Sequence, residues 1–437
     1  MGYPLMPPPH MFAQPTRFDR GDLRLLVCCL LASLALHSKA QEEISERDPI
    51  VPGSGVASED ALDHFKVRDL PFGPWGHLEY SGLILEPSDY YLAFSPDLNS
   101  WRDGMKTRWV FAAKTKEVVV SLLETIDLTG DQISALTDGD RLFPDEVIGS
   151  LAIEPSEEEI RALTAEQRTK LYPTLLPHDF TNPYFEAFAL PPGGIRDIAI
   201  LPSSLSEETI ALIEELTYMK GSVPRFSDII LLFQRTASEE ERRDILKFLA
   251  REVSLTVRLF LSDQSNLDEL ETYWGAGGRN REVLPFLEAV VSTPGVDRID
   301  IAHLLPPTPR KLIQTYPSSH GYVLPTSKPD CFWTSVSFFS DSPSDRHLDF
   351  TRPVIEDRFE VVPPPYRLGD LILITDGDTG DWIHACNFIA EDLVFTKNGR
   401  STGRPWIFST FELVMQSYQK VENLEVTYLR LRPEFRQ

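Results

Sequence analysis

Two stretches decide how the C-terminal part of this chain is read: Pro329-Asp330-Cys331-Phe332-Trp333-Thr334-Ser335-Val336-Ser337-Phe338-Phe339 and Trp382-Ile383-His384-Ala385-Cys386-Asn387-Phe388-Ile389-Ala390. Proline and aspartate favour a helix start, so a helix is expected to open at Cys331. At that position the unpaired N–H groups and the helix dipole favour negative charge and lower a thiol below its ordinary pKa of about 8.5. The attacking species of a cysteine nucleophile is the thiolate, and the same N–H groups can stabilise an oxyanion. The second stretch is rich in β-branched and aromatic residues and reads as a strand. With a period of two, His384, Cys386 and Phe388 share one face, which offers an imidazole as the base.

Working outward, residues 359–362, 371–375 and 393–396 are also strand-like. Gly369-Asp370 introduces one strand, Asp376-Gly-Asp-Thr-Gly-Asp381 turns the chain before the histidine strand, and Gly399 ends the series. The expectation is a small antiparallel sheet packed against a helix. On the last of these strands Thr396 and Asn398 share a face and Lys397 points away. A polar side chain there can hold the imidazole in one tautomer, the orienting role in a triad. His347, in the polar Ser344-Asp-Arg-His-Leu-Asp349 segment, is a second base candidate. Asp376, Asp378 and Asp381 lack the alternate spacing and later glutamate of a calcium-binding loop and read as a hairpin turn.

Asp330-Cys331 opening a helix, then Gly369-Asp370-Leu371-Ile372-Leu373-Ile374, then His384 on a strand, resembles the NlpC/P60 group of papain-like cysteine peptidases. The resemblance covers residues 315–420. It implies a papain-like fold and an exported hydrolase of amide bonds, with peptide stems of peptidoglycan as the substrate class. It also implies Cys331 as nucleophile and His384 as base, with no metal or organic cofactor. Counting from the histidine puts Thr396 nearest the third polar position and Asn398 one step further on the same face. Asn398 is preferred, because an amide orients an imidazole better than a hydroxyl does. The family usually follows its cysteine with Ser-Gly, where this chain has Phe332-Trp333. It also carries a small residue two after the histidine, where this chain has Cys386. Asp330, Phe332 and Trp333 are therefore the expected substrate-binding residues.

The first forty residues have the layout of a cleavable export signal. Arg17, Arg20 and Arg24 lead into the apolar run Leu25-Leu-Val-Cys-Cys-Leu-Leu-Ala-Ser-Leu-Ala-Leu36, and Ser38 and Ala40 stand where a signal peptidase requires small residues. The run is shorter than the ~20 residues of a membrane span. Met11 is an alternative start. The signal implies a periplasmic or extracellular protein without membrane insertion after cleavage, and it removes two of the four cysteines. Cys331 and Cys386 remain, and an oxidising compartment would permit a bond between them. Such a bond gives the competing reading: a non-catalytic exported binding or structural protein on the same fold.

The chain carries 42 basic and 66 acidic residues, a net charge of −24. Without the four basic and two acidic residues of the signal it stands at −26, and residues 321–437 contribute −5 of this. Such a surface argues against nucleic acid or anionic membrane as a partner. Residues 41–60 read as a flexible leader and 61–150 as a mixed α/β region, with β-type runs at 83–85 and 118–122. Residues 151–304 read as a helical accessory domain. Capping boxes are expected at Ser156/Glu159, Thr164/Gln167, Ser204/Glu207 and Ser238/Glu241. The proline-rich 305–320 is expected to be a linker, and 321–437 the hydrolase domain. The overall expectation is an α+β protein.

Overall fold

The computed structural model describes residues 65–88, 92, 106–176, 187–191, 193–199, 203–221, 223–236, 238–262, 265–317, 329–341, 343, 351–399, 401, 403–418 and 423–436. The expected signal, the expected leader and His347 lie outside the described residues.

Near-continuous apolar runs, buried along most of their length, form the central strands of a six-stranded antiparallel sheet within residues 359–431. Its order is Phe359–Val361, Leu424–Leu431, Leu371–Asp376, Trp382–Ala390, Leu393–Lys397, Trp406–Thr410. The register sets Ile374 opposite His384 and Ile372 opposite Cys386, so all four lie on one face. The strands at 371–376, 382–390 and 393–397 match the sequence expectation to within a residue. The first and last of the three are each longer by one.

The corner leading into the first of the three is built by Gly369-Asp370. Gly369 has φ +81°, and a Cβ there would lie 2.2 Å from the Phe339 ring. Only glycine meets both demands. Asp370, buried, accepts two hydrogen bonds from the Arg430 guanidinium at 2.8 and 2.6 Å and a third from the Arg367 N–H. Asp376 closes the following turn by accepting the N–H groups of Asp378 and Thr379 on its carboxylate.

A second sheet, antiparallel and four-stranded, is assembled from residues far apart in sequence: Arg68–Asp69, His77–Leu85, Glu252–Phe260 and Arg298–Asp300. Its Leu78, Leu255, Val257 and Leu259 share one apolar core with Ile372, Cys386, Phe388, Phe395 and Phe408 of the six-stranded sheet. Helix Leu267–Trp274 is tied to both sides. The Trp274 indole donates to the Trp75 carbonyl, and the Tyr273 ring packs edge-on against Trp75 while its hydroxyl donates to the Ile389 carbonyl. The described residues belong to one compact unit, Gly55–Gln437, of mixed helix and sheet in the α+β class.

Three local expectations differ from the structure. Residues 118–122 are helical, inside Lys116–Thr125, because Val119 and Leu123, one turn apart, both bury into the core. That packing outweighs the β preference of three consecutive valines. Residues 151–304 are not helical throughout: they supply the nine-residue strand Glu252–Phe260. Within 305–320, Pro307–Leu312 is a helix with Pro309 and Leu312 buried, and Tyr316 donates its hydroxyl to the Leu85 and Ala250 carbonyls.

Of the helix caps, Ser156/Glu159 and Thr164/Gln167 form reciprocal boxes, as does Thr129/Gln132. Ser238 caps its helix by accepting from the Glu241 N–H. The helix expected to be capped by Ser204 is instead capped by Ser206, which accepts from the Thr209 N–H. Among the described residues no helix is long and apolar enough to cross a membrane.

Candidate active site

Helix Cys331–Val336 begins where its sequence says it should. The Asp330 side chain accepts the Trp333 N–H at 2.9 Å, and its backbone carbonyl accepts the Thr334 N–H and hydroxyl. The first helical residue is Cys331. The helix lies on the strands Trp382–Ala390 and Leu393–Lys397. It is pinned from the sheet's edge by the Trp406 indole, which donates to Thr334 Oγ1 at 2.9 Å. A second tie comes from Asn387, whose side-chain amide donates to the Ser335 carbonyl at 3.1 Å. The thiol rests against the strand at Ala385, the neighbour of His384.

His384 is fully buried, and both ring nitrogens face hydroxyls. Nε2 is 2.9 Å from Thr396 Oγ1, and Nδ1 is 3.1 Å from the Tyr418 hydroxyl. A phenol is a stronger donor than an aliphatic alcohol. The arrangement is therefore assigned as Tyr418 donating to Nδ1, with the ring proton on Nε2 donated to Thr396. Of the two polar candidates on the strand, Thr396 meets the imidazole. Asn398 lies past the strand end at Lys397, half-buried, and the preference for it is corrected. Residue 396 lies inside the strand and is fully buried, which sets its short side chain against the ring. Lys397 is buried as well, its ammonium donating to the Gly399 and Ser401 carbonyls at 2.7 and 2.9 Å.

The electrostatics of this cluster are those of an apolar interior. Burial pushes the Cys331 thiol up to about 12, with the Asp330 carboxylate adding to the rise, against smaller opposing contributions from the Ala385 backbone and Lys397. Burial pulls His384 down to about 3. Cys386, buried on the same face, is also raised by burial and by its neighbour Cys331. Burial likewise raises the Tyr418 phenol, and both thiols add to that rise. Thiols, phenol and imidazole are all neutral at pH 7. Both cysteines are free. Among the described residues no hydrogen bond joins Cys331 to His384, and Tyr418 occupies the Nδ1 nitrogen.

The expected substrate-binding residues are placed differently from one another. The Asp330 carboxylate is spent on the helix cap. Trp333 is a core residue, 2% exposed among Phe338, Phe395 and Trp406, and this corrects its expected place at a binding surface. Its size, read as a departure at a reaction centre, serves packing instead. Phe332 stands on the other side of the helix, in a separate small cluster, with its ring 5.9 Å from that of Trp382. Tyr418, which completes the imidazole's contacts, was not anticipated. It follows helix Phe411–Gln416 in a segment with no strand or motif signal to mark it.

No protein-family model, curated protein or solved structure matches the chain.

Proposed function

We propose that this protein is an exported cysteine hydrolase of papain-like type that cleaves amide bonds, with cell-wall peptide stems as the substrate class. The observation that carries the reading is the Cys331 helix start packed on the strand of His384, whose Nε2 is held by Thr396. In this mechanism the Cys331 sulfur attacks the amide carbonyl and its proton passes to His384 Nδ1. The C–N bond then breaks as the imidazolium protonates the leaving amine. Water, deprotonated by the same nitrogen, hydrolyses the thioester and restores the thiol. Thr396 keeps the ring proton on Nε2 throughout. The arrangement described here is a closed resting state, and Tyr418 must leave Nδ1 before the thiol can use it.

A second reading is favoured by that same closure. A buried imidazole with both nitrogens satisfied, beside two neutral thiols, is also what a non-catalytic exported binding or structural protein would contain. The deciding measurements are the labelling rates of Cys331 and Cys386 with a thiol-reactive probe at pH 7, and hydrolysis of peptidoglycan and model peptides by wild type and Cys331→Ala. Labelling of Cys331 in preference to Cys386, through the opened form, and loss of hydrolysis in Cys331→Ala are expected. Full hydrolysis by Cys331→Ala would defeat the enzymatic reading. So would a quantitative two-dalton gain on reduction of the native protein, the mark of a Cys331–Cys386 bond.

A further inference from the structure

Two arginines far apart in sequence, Arg225 and Arg404, meet at the segment 187–189 and face Tyr418. Arg225 lies on the short strand Val223–Phe226, paired in register with Ala189. Its Nη1 donates to the Ala187 carbonyl at 3.5 Å, and among the described residues its buried Nε has no partner. No carboxylate pairs with it among the described residues. Arg404 donates to the Ala189 carbonyl at 2.8 Å and pairs with Glu252. The two guanidiniums therefore converge on the segment 187–189. They hold two positive charges against one carboxylate, in a protein whose net charge is −24.

The pair is connected to the site through Trp406 and Tyr418. Arg404 stands two residues before Trp406, whose indole is bonded to Thr334 on the cysteine helix. Both guanidiniums are within electrostatic reach of the Tyr418 phenol, which itself contacts His384 and lies close to both thiols. Burial lowers both arginines, Arg404 to about 9 with Arg225 adding to the fall, and at pH 7 both remain charged. A half-buried guanidinium that repels its neighbour and has no anion beside it among the described residues is costly unless an anion is supplied. The planar fork of donors fits a carboxylate, and neither arginine is fully buried.

We infer that Arg225 and Arg404 form a recognition site for a carboxylate of the substrate, so that the favoured substrates are acidic peptides carrying that group a short span from the amide attacked by Cys331. This rests on the hydrolase reading and assigns a specificity role to a residue of the upstream region. Arg225 is the principal member, because Arg404 is already engaged by Glu252.

The test uses two thiol reagents that differ only in charge, N-bromoacetyl-glycine and N-bromoacetyl-glycinamide, with their diglycine homologues to vary the span. Alkylation of Cys331 in the full chain is followed by peptide mass mapping, and the acid-to-amide rate ratio is compared with that of the urea-unfolded protein. A native ratio about tenfold above the unfolded one is expected for one of the spans. Arg225→Met should return it to the unfolded value, and Arg225→Lys should keep part of the preference. If Arg225→Met does not fold, wild-type labelling should be slowed by acetate and not by acetamide. Labelling of native Cys331 without acid preference at either span, or equal effects of acetate and acetamide, overturns the carboxylate site and leaves the hydrolase reading standing. Failure of every reagent to label native Cys331, when the unfolded chain is labelled, overturns both.

Discussion

The burial of His384 makes a quantitative demand on how the protein responds to acid. An ordinary histidine titrates near 6.5 and this one is pulled down to about 3, because no charge compensates for the loss of water. Between those values the unfolded chain binds a proton that the folded chain refuses. Stability therefore rises with pH across that window, and it is lost as pH falls below 6.5. At about 1.4 kcal/mol per pH unit, this one side chain removes about 2 kcal/mol by pH 5 and at most about 5 by pH 3. His384→Asn abolishes the titration while retaining an amide to meet Thr396 or Tyr418. The variant should be less stable than wild type at pH 7.5 by about 1–3 kcal/mol, from hydrogen bonds made less well. Its deficit should then shrink by about 2 kcal/mol at pH 5, as wild type alone pays for neutrality. Urea unfolding followed by tryptophan fluorescence, at a series of pH values for both proteins, measures the difference directly. Stability curves that run parallel from pH 7.5 to 5, or an NMR titration of His384 with its midpoint near 6.5, would refute the reasoning.

The alkaline side carries the opposite sign. Cys331, raised to about 12, and Cys386, raised too, keep protons that the unfolded chain releases above about 8.5. Stability should fall as pH rises beyond that point, and less steeply in a Cys331→Ala/Cys386→Ala protein, as read by urea midpoints at pH 8 and 10. Asp370→Asn breaks the charge pairing of Arg430, which is only 12% exposed, and is expected to cost about 3–5 kcal/mol. A thermal midpoint within a degree of wild type would show that the pair is dispensable. Gly369→Ala places a methyl into the Phe339 ring at a left-handed φ and should destabilise by well over 1 kcal/mol. Equal guanidinium midpoints for the two proteins would contradict the described corner.

What the sequence discloses of this protein divides along physical lines. The helix start at Cys331 and the strands around His384 were legible because their signals are local: a capping aspartate, a period of two, a glycine at a corner. The order of the six strands was not. Leu424–Leu431 alternates apolar with polar from Leu424 to Tyr428, but its place beside Leu371–Asp376 depends on long-range pairing and on Arg430 reaching Asp370, neither of which is written in spacing. The valines at 118–120 misled for the reverse reason. Their intrinsic preference is for strand, and the core on one side of them selects a helix. At the site, alternation correctly put Thr396 on the face of the imidazole. Choosing Asn398 from the chemistry of amides overlooked where the strand ends. Tyr418 and Arg225 reach the cluster only through tertiary structure, from 34 residues after the histidine in one case and from the upstream region in the other.

The position of Leu424–Leu431 between Phe359–Val361 and Leu371–Asp376 has a consequence in time as well as in space. A ribosome delivers Phe359–Val361, then Leu371–Asp376, then the histidine strand, long before the strand that must separate the first two. Until residue 431 has emerged, the Leu371–Asp376 edge has nothing to pair with except its early neighbour or another molecule. An exported chain that is kept unfolded until it has crossed a membrane avoids that interval. A nascent chain folding as it is made does not. For recombinant work, a stop codon placed before Leu424 would strand an apolar edge, and the resulting fragments should aggregate, whereas extensions added after Gln437 should leave the sheet intact.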